Sequence, residues 1–157
     1  MRDNWKNAVR ADPALAAVAE RHSVAITPAM EALIEGDPVS DPIGRQFVQN
    51  AAELETDVGE SDDPIADRRL SPVKGIVHRY PDRVLLKPTP VCPVYCRFCF
   101  RRGDVGPHGG SLRAHELETA LDYIRARPEI WEVIVTGGDP FMLSLRRLVA
   151  LVRALNA

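Results

Sequence analysis

The amino-acid sequence predicts an α/β fold in which a helical N-terminal layer precedes two strand–loop–helix units of a parallel sheet. Three observations carry this expectation. Two short apolar runs, Val84-Leu85-Leu86 and Trp131–Thr136, are each followed by a loop and then by apolar residues at helical spacing. Residues 1–70 instead carry Pro-punctuated segments with modest apolar faces, as helices lying on another layer do. Between the two regions, residues 53–69 are acidic and nearly free of large apolar side chains.

Taken in order, Asp12-Pro13 supplies an N-cap and a first helical position for a short helix reaching about Arg21. Thr27-Pro28 opens a second helix that Gly36 is expected to close, and Asp41-Pro42 starts a third, shorter one. Their apolar faces comprise Leu15 and Val18, then Met30, Leu33 and Ile34, then Ile43, Phe47 and Val48. Glu53 to Arg69 reads as a surface linker. Val84-Leu85-Leu86, uninterrupted by polar residues, reads as a strand buried on both faces. Leu117, Ala120, Leu121 and Ile124 lie on one helical face that Pro128 ends. Trp131–Thr136 then runs into Gly137-Gly138-Asp139-Pro140, and Ser144 caps a helix presenting Leu148, Leu151, Val152 and Leu155. Strand, loop, helix, repeated, implies right-handed crossovers and ligands at the C-terminal strand ends. Two parallel strands cannot bury themselves, so the sheet is expected to be completed by further chain or by a partner. The domain reading is an N-terminal helical region with its linker over 1–70, and the start of an α/β domain over 71–157.

With 157 residues, 45% of them apolar, the chain can form a core without covalent staples. Three cysteines, no apolar run of membrane-spanning length and a polar start at Met1-Arg2-Asp3-Asn4 point to a reducing, cytoplasmic setting with no membrane association. A net charge of −2 gives no argument for nucleic acid as a partner. Positive charge is nevertheless gathered locally at Arg79, Arg83, Lys87, Arg97, Arg101 and Arg102. Lysine is scarce, being limited to Lys6, Lys74 and Lys87, which narrows the choice of any Schiff-base residue.

All three cysteines, Cys92, Cys96 and Cys99, fall within eight residues. Three thiolates so close can hold one face of a metal centre and leave a coordination position open. A closed zinc site using His108 is the alternative, although the paired spacing of common zinc modules is missing. Three unrelated buried thiols are another. An iron–sulfur cube held by three thiolates leaves one iron able to chelate a further ligand.

The pattern Cys92-x3-Cys96-x2-Cys99, with aromatic Phe98 before the third cysteine, resembles the radical S-adenosylmethionine (SAM) superfamily. Such enzymes bind a 4Fe-4S iron–sulfur cluster. Its open iron takes the amino and carboxylate groups of S-adenosyl-L-methionine, whose cleavage yields a 5'-deoxyadenosyl radical. Gly137, Gly138 and Asp139 match the superfamily's glycine motif for the methionine end of SAM. Ser71–Leu86, Tyr95–Arg102 and Val135–Pro140 are together similar to the lysine 2,3-aminomutase family, as are Ile26-Thr27-Pro28 and Asp41-Pro42-Ile43. The resemblance covers nearly the whole chain but only about the first half of a family member.

The resemblance implies a partial (βα)6 radical SAM barrel, incomplete at the C-terminus, behind an N-terminal helical layer. It also implies an isomerase that moves an amino group from C2 to C3 of an amino acid, L-lysine, with pyridoxal 5'-phosphate (PLP) as carrier. Carried over by position, Arg79, Tyr80 and Arg83 would hold the PLP phosphate, Arg101 the substrate carboxylate, and Arg97 a place beside the cluster. Phe98 and Phe100 would shield that cluster from water. A flavodoxin- or ferredoxin-type reductant and a homo-oligomeric assembly are implied partners. The family's PLP lysine has no counterpart among Lys74 and Lys87, so this chain alone is expected to be inactive. A non-catalytic iron–sulfur or zinc-binding interaction module is the alternative reading.

Overall fold

The computed structural model describes residues 12–106 and 110–157, so His108 and Lys6 lie outside the described residues. The chain gathers into two units that do not follow sequence order. One takes the described part of Met1–Asp62 with Pro93–Gly103, and the other takes Asp63–Cys92 with Asp104–Ala157.

In the first unit, helix α1 (Pro13–Arg21) starts as the sequence predicts, with Asp12 Oδ1 accepting from the Ala14 amide at 2.8 Å. Its Val18 is fully buried. Helix α2 (Pro28–Glu31) is a single turn capped by Thr27 and does not continue to Gly36. The chain tightens there, with the Leu33 amide donating to the Met30 carbonyl at 3.2 Å. Leu33 is 56% exposed, so no apolar burial holds a longer helix in place. Helix α3 (Gly44–Phe47) is organised by Asp41, which is itself buried. The Asp41 carboxylate accepts from the amides of Gly44 at 2.7 Å, Ile43 at 2.8 Å and Glu35 at 3.0 Å.

A 3-10 turn, Ala51–Leu54, follows. Its capping box pairs the Ala52 amide with Asn50 Oδ1 and the Asn50 amide with Glu53 Oε1, at 2.9 and 2.7 Å. Pro93–Gly103 joins this unit through the main chain: the Tyr95 amide donates to Ala25 and the Arg97 amide to Gln46, at 3.0 and 2.7 Å.

The second unit contains a three-stranded sheet in the order β1 (Ile76–Tyr80), β2 (Arg83–Thr89), β3 (Glu132–Gly137). Strands β2 and β3 are parallel, as expected, but β1 is an additional antiparallel strand that the sequence reading does not contain. Pro81 and Asp82 form its turn, a role that suits both residue types. Helices α4 (Ala114–Arg125) and α5 (Leu145–Leu155) follow β2 and β3 as predicted. The register aligns Val84 with Val133 and Leu86 with Val135. These residues share a core with Ile76, Leu112, Ala120, Leu121 and Leu151. Full burial of Ile76, Val84 and Leu86 contributes about 1.5–3 kcal/mol each.

Burial along β2 alternates: Val84, Leu86 and Pro88 are buried, whereas Leu85 and Lys87 are only partly so. This corrects the expectation of a strand buried on both faces, because within this unit the helices pack on one side. The acidic stretch needs correcting as well. Asp63 accepts from the amides of Asp67 and Arg68, and Ser71 Oγ donates to the Asp67 carbonyl at 2.7 Å. Asp67 is 2% exposed, so residues 63–71 are folded rather than a free linker.

Candidate functional site

Parallel pairing sets Thr89 opposite Gly137, so the two strands release their following loops at the same end. Main-chain bonds then hold those loops together. The Gly138 amide donates to the Thr89 carbonyl at 2.7 Å, and the Asp139 amide to the Val91 carbonyl at 2.9 Å. A Cβ on Gly138 would lie 2.5 Å from the Val91 oxygen and from the Pro90 carbonyl carbon, which no side chain tolerates. Gly137 adopts φ +102°, open to glycine. Asp139 uses Oδ1 on the Phe141 amide at 2.9 Å, capping the short turn Pro140–Met142. Thr89 is buried and bonds to Ser111 Oγ at 3.0 Å. Cys92 comes immediately after Val91.

Cys96 and Cys99 sit in one turn of the first unit, where the Cys99 amide donates to the Cys96 carbonyl at 3.2 Å and Arg102 to the Cys99 carbonyl at 3.0 Å. Burial, with the neighbouring Cys99, pushes the Cys96 thiol up from its ordinary range. None of the three cysteines forms a disulfide, and all are partly exposed. Among the described residues no group of three or more His, Cys, Asp or Glu is gathered for a metal ion. The donor chemistry nevertheless fits an iron–sulfur centre: three thiols from one short segment, uncommitted to disulfides, are the ligands such a centre takes.

Around this turn lies a charge cluster that the sequence reading lacks. Glu53 Oε1 accepts from Arg97 Nε at 2.8 Å, and its other oxygen is paired with both Arg97 Nη2 and Arg102 Nη2. Arg102 Nη1 also donates to the Arg97 carbonyl at 3.2 Å. Burial, then the charge of Arg102, lowers Arg97 to about 10. His22 is lowered to about 4, first by burial and then by Arg102, Arg21 and Arg97. The Asn50-x-x-Glu53 capping signature marks Glu53 as structured, but nothing local in the sequence reveals its partners some forty residues later. Phe98 and Phe100, expected to shield a cluster, are 68% and 54% exposed, and Arg101 stacks on Phe100 with 4.7 Å to the ring centre.

Arg79, Tyr80 and Arg83 lie at the opposite end of the strands from Thr89 and Gly137, roughly 20 Å away along β2. Arg83 pairs with Asp82 at 3.0 Å and Glu132 at 3.3 Å and stacks on Trp131, while Arg79 donates to the Ile65 carbonyl. A phosphate held by Arg83 would therefore compete with the Asp82 and Glu132 carboxylates. Lys87 is held by buried Asp67 at 3.6 Å.

Residues 86–156 match the Radical SAM superfamily profile. Over 133 residues the chain is 38% identical to the L-lysine 2,3-aminomutase of Clostridium subterminale, covering 85% of this chain and 32% of that protein. It is 40% identical over 122 residues to the L-lysine 2,3-aminomutase of Methanococcus maripaludis, covering 77% and 28% of the two chains. To the glutamate 2,3-aminomutase of Clostridioides difficile it is 37% identical over 119 residues, covering 76% and 28%. The loop leading to Cys92 and the Gly137-Gly138-Asp139 turn, which leave the same end of adjoining parallel strands, both lie within the residues that match this profile. Over most of its own length the chain is similar to lysine 2,3-aminomutases, and it spans about a third of the length of the curated relatives it matches.

Proposed function

We propose that this chain carries the cluster- and SAM-binding part of an amino-acid 2,3-aminomutase, with L-lysine as the substrate of the whole enzyme and C2-to-C3 migration of its amino group as the reaction. The observation that carries this reading is the Thr89–Gly137 register, which sends the loop leading to Cys92 and the Gly-Gly-Asp turn out from one strand end. Cys92, Cys96 and Cys99 would hold a 4Fe-4S cluster, which would supply the electron that opens the SAM sulfonium. The chain's own residues have separate tasks. Cys92, Cys96 and Cys99 would give up their protons to hold iron, so loading is pH-dependent. Gly137 and Gly138 are assigned to the methionine end of SAM, and Asp139 fixes the turn that presents them. Arg101 is assigned to the substrate carboxylate, a planar donor suited to that group.

Anaerobic reconstitution with iron and sulfide, followed by SAM and dithionite, tests this reading. The expected result is a brown protein that releases 5'-deoxyadenosine. A colourless protein that binds zinc instead would favour the interaction-module reading. PLP dependence is tested separately by joint Arg79→Ala and Arg83→Ala replacement. Weaker PLP retention with iron content intact is expected, and normal retention removes the phosphate assignment.

A further inference from the structure

We propose that Glu53 is the positioning residue of the Cys96–Cys99 turn: its carboxylate fixes the guanidiniums of Arg97 and Arg102 on either side of Cys99 and sets the charge beside that turn. The inference rests on reading the turn as part of the cluster ligand set. One carboxylate, largely buried, faces two guanidiniums, and the pairing leaves one positive charge in excess. The anchor is itself anchored, since Glu53 Oε1 also accepts the Asn50 amide at 2.7 Å in the capping box of the 3-10 turn. From there the linkage runs into the cysteine turn: Arg102 Nη1 donates to the Arg97 carbonyl at 3.2 Å, the Arg102 amide to the Cys99 carbonyl at 3.0 Å, and the Arg97 amide to Gln46 at 2.7 Å. Arg97, with a side chain only 9% exposed, cannot turn to water if the carboxylate is lost.

The electron affinity of an iron–sulfur centre follows its local net charge and hydrogen bonding. A fixed Glu53 therefore makes this carboxylate a determinant of potential as well as geometry.

The test is Glu53→Gln in the full chain. Glutamine keeps the Oε1 acceptor for Asn50 and Arg97 Nε, but sets an amide N–H₂ against the two guanidinium Nη2 groups. Amide hydrogen exchange of the metal-free protein is expected to become about tenfold faster at Arg97, Cys99 and Arg102, with Arg45 and Val48 of α3 unchanged. After anaerobic loading, iron content is expected to match the parent, and the midpoint potential to move to a more positive value because a negative charge has been removed. Unchanged exchange at the three turn amides overturns the inference, as does an equal rise at Arg45 and Val48, or an unmoved potential in a centre that loads normally. A parent protein that takes up no iron would instead overturn the proposed function, and the exchange data alone would then decide the role of Glu53.

Discussion

Gly138 is required by the close approach of two stretches of main chain. Replacing it with alanine sets a methyl group against main-chain atoms of Pro90 and Val91 at 2.5 Å, and main chain cannot step aside as a flexible side chain does. Gly138→Ala is expected to cost about 1–3 kcal/mol in urea unfolding and to abolish SAM cleavage by the loaded protein. His22 gives a second prediction at this scale. Its native pKa of about 4 lies below the ordinary 6.5, so the unfolded chain takes up a proton between these values while the native chain does not. Stability is therefore fully present above pH 6.5, falls as the pH drops from 6.5 towards 4, and loses nothing further from this group below 4. Thermal midpoints over that range should decline less in His22→Gln than in the parent. In the sequence, Gly137-Gly138 is legible as a turn that follows a buried strand. The demand from Pro90 and Val91 is not, because it depends on which strands are neighbours.

The elements were legible in proportion to how local their causes are. Helix α1 follows from Asp12, Pro13 and an apolar stripe, all within ten residues, and forms as expected. The predicted extension of α2 fails because Leu33 finds no apolar partner to cover it. Strand β1 was missed because His78-Arg79-Tyr80 carries no clean alternation and owes its pairing to β2. Asp41 shows the opposite case, a polar residue doing the work of a core group. It accepts three main-chain amides, and its acidity is strengthened by these, the Gly44 amide foremost. Asp41→Ala should lower the urea midpoint, and acidification below the ordinary 3.8 should erode the same contribution in the parent, since a carboxylate with a depressed native pKa loses its advantage only as it protonates. For the cysteine turn, Cys96→Ala is expected to lower iron content sharply with α1 and α3 intact by circular dichroism.

At the scale of the whole molecule, the α/β class and the two βα units were readable from apolar runs and helical periodicity. The assignment of Pro93–Gly103 to the N-terminal helices was not, since it rests on amides donating to Ala25 and Gln46 and on ion pairs to Glu53, all distant in sequence. No helix among the described residues is long and apolar enough to cross a membrane. A cluster that binds the native chain and not the unfolded one should raise the thermal midpoint, and a chelator should return it to the metal-free value.

The sheet order β1-β2-β3 is also the order in which the strands are synthesised. Among the described residues, no strand is inserted between two earlier ones. As the polypeptide leaves the ribosome, the hairpin can close first across its two-residue turn, and β3 can then add to a waiting edge once α4 has folded behind it. A sheet laid down outward in this way spares the chain a search among earlier strands.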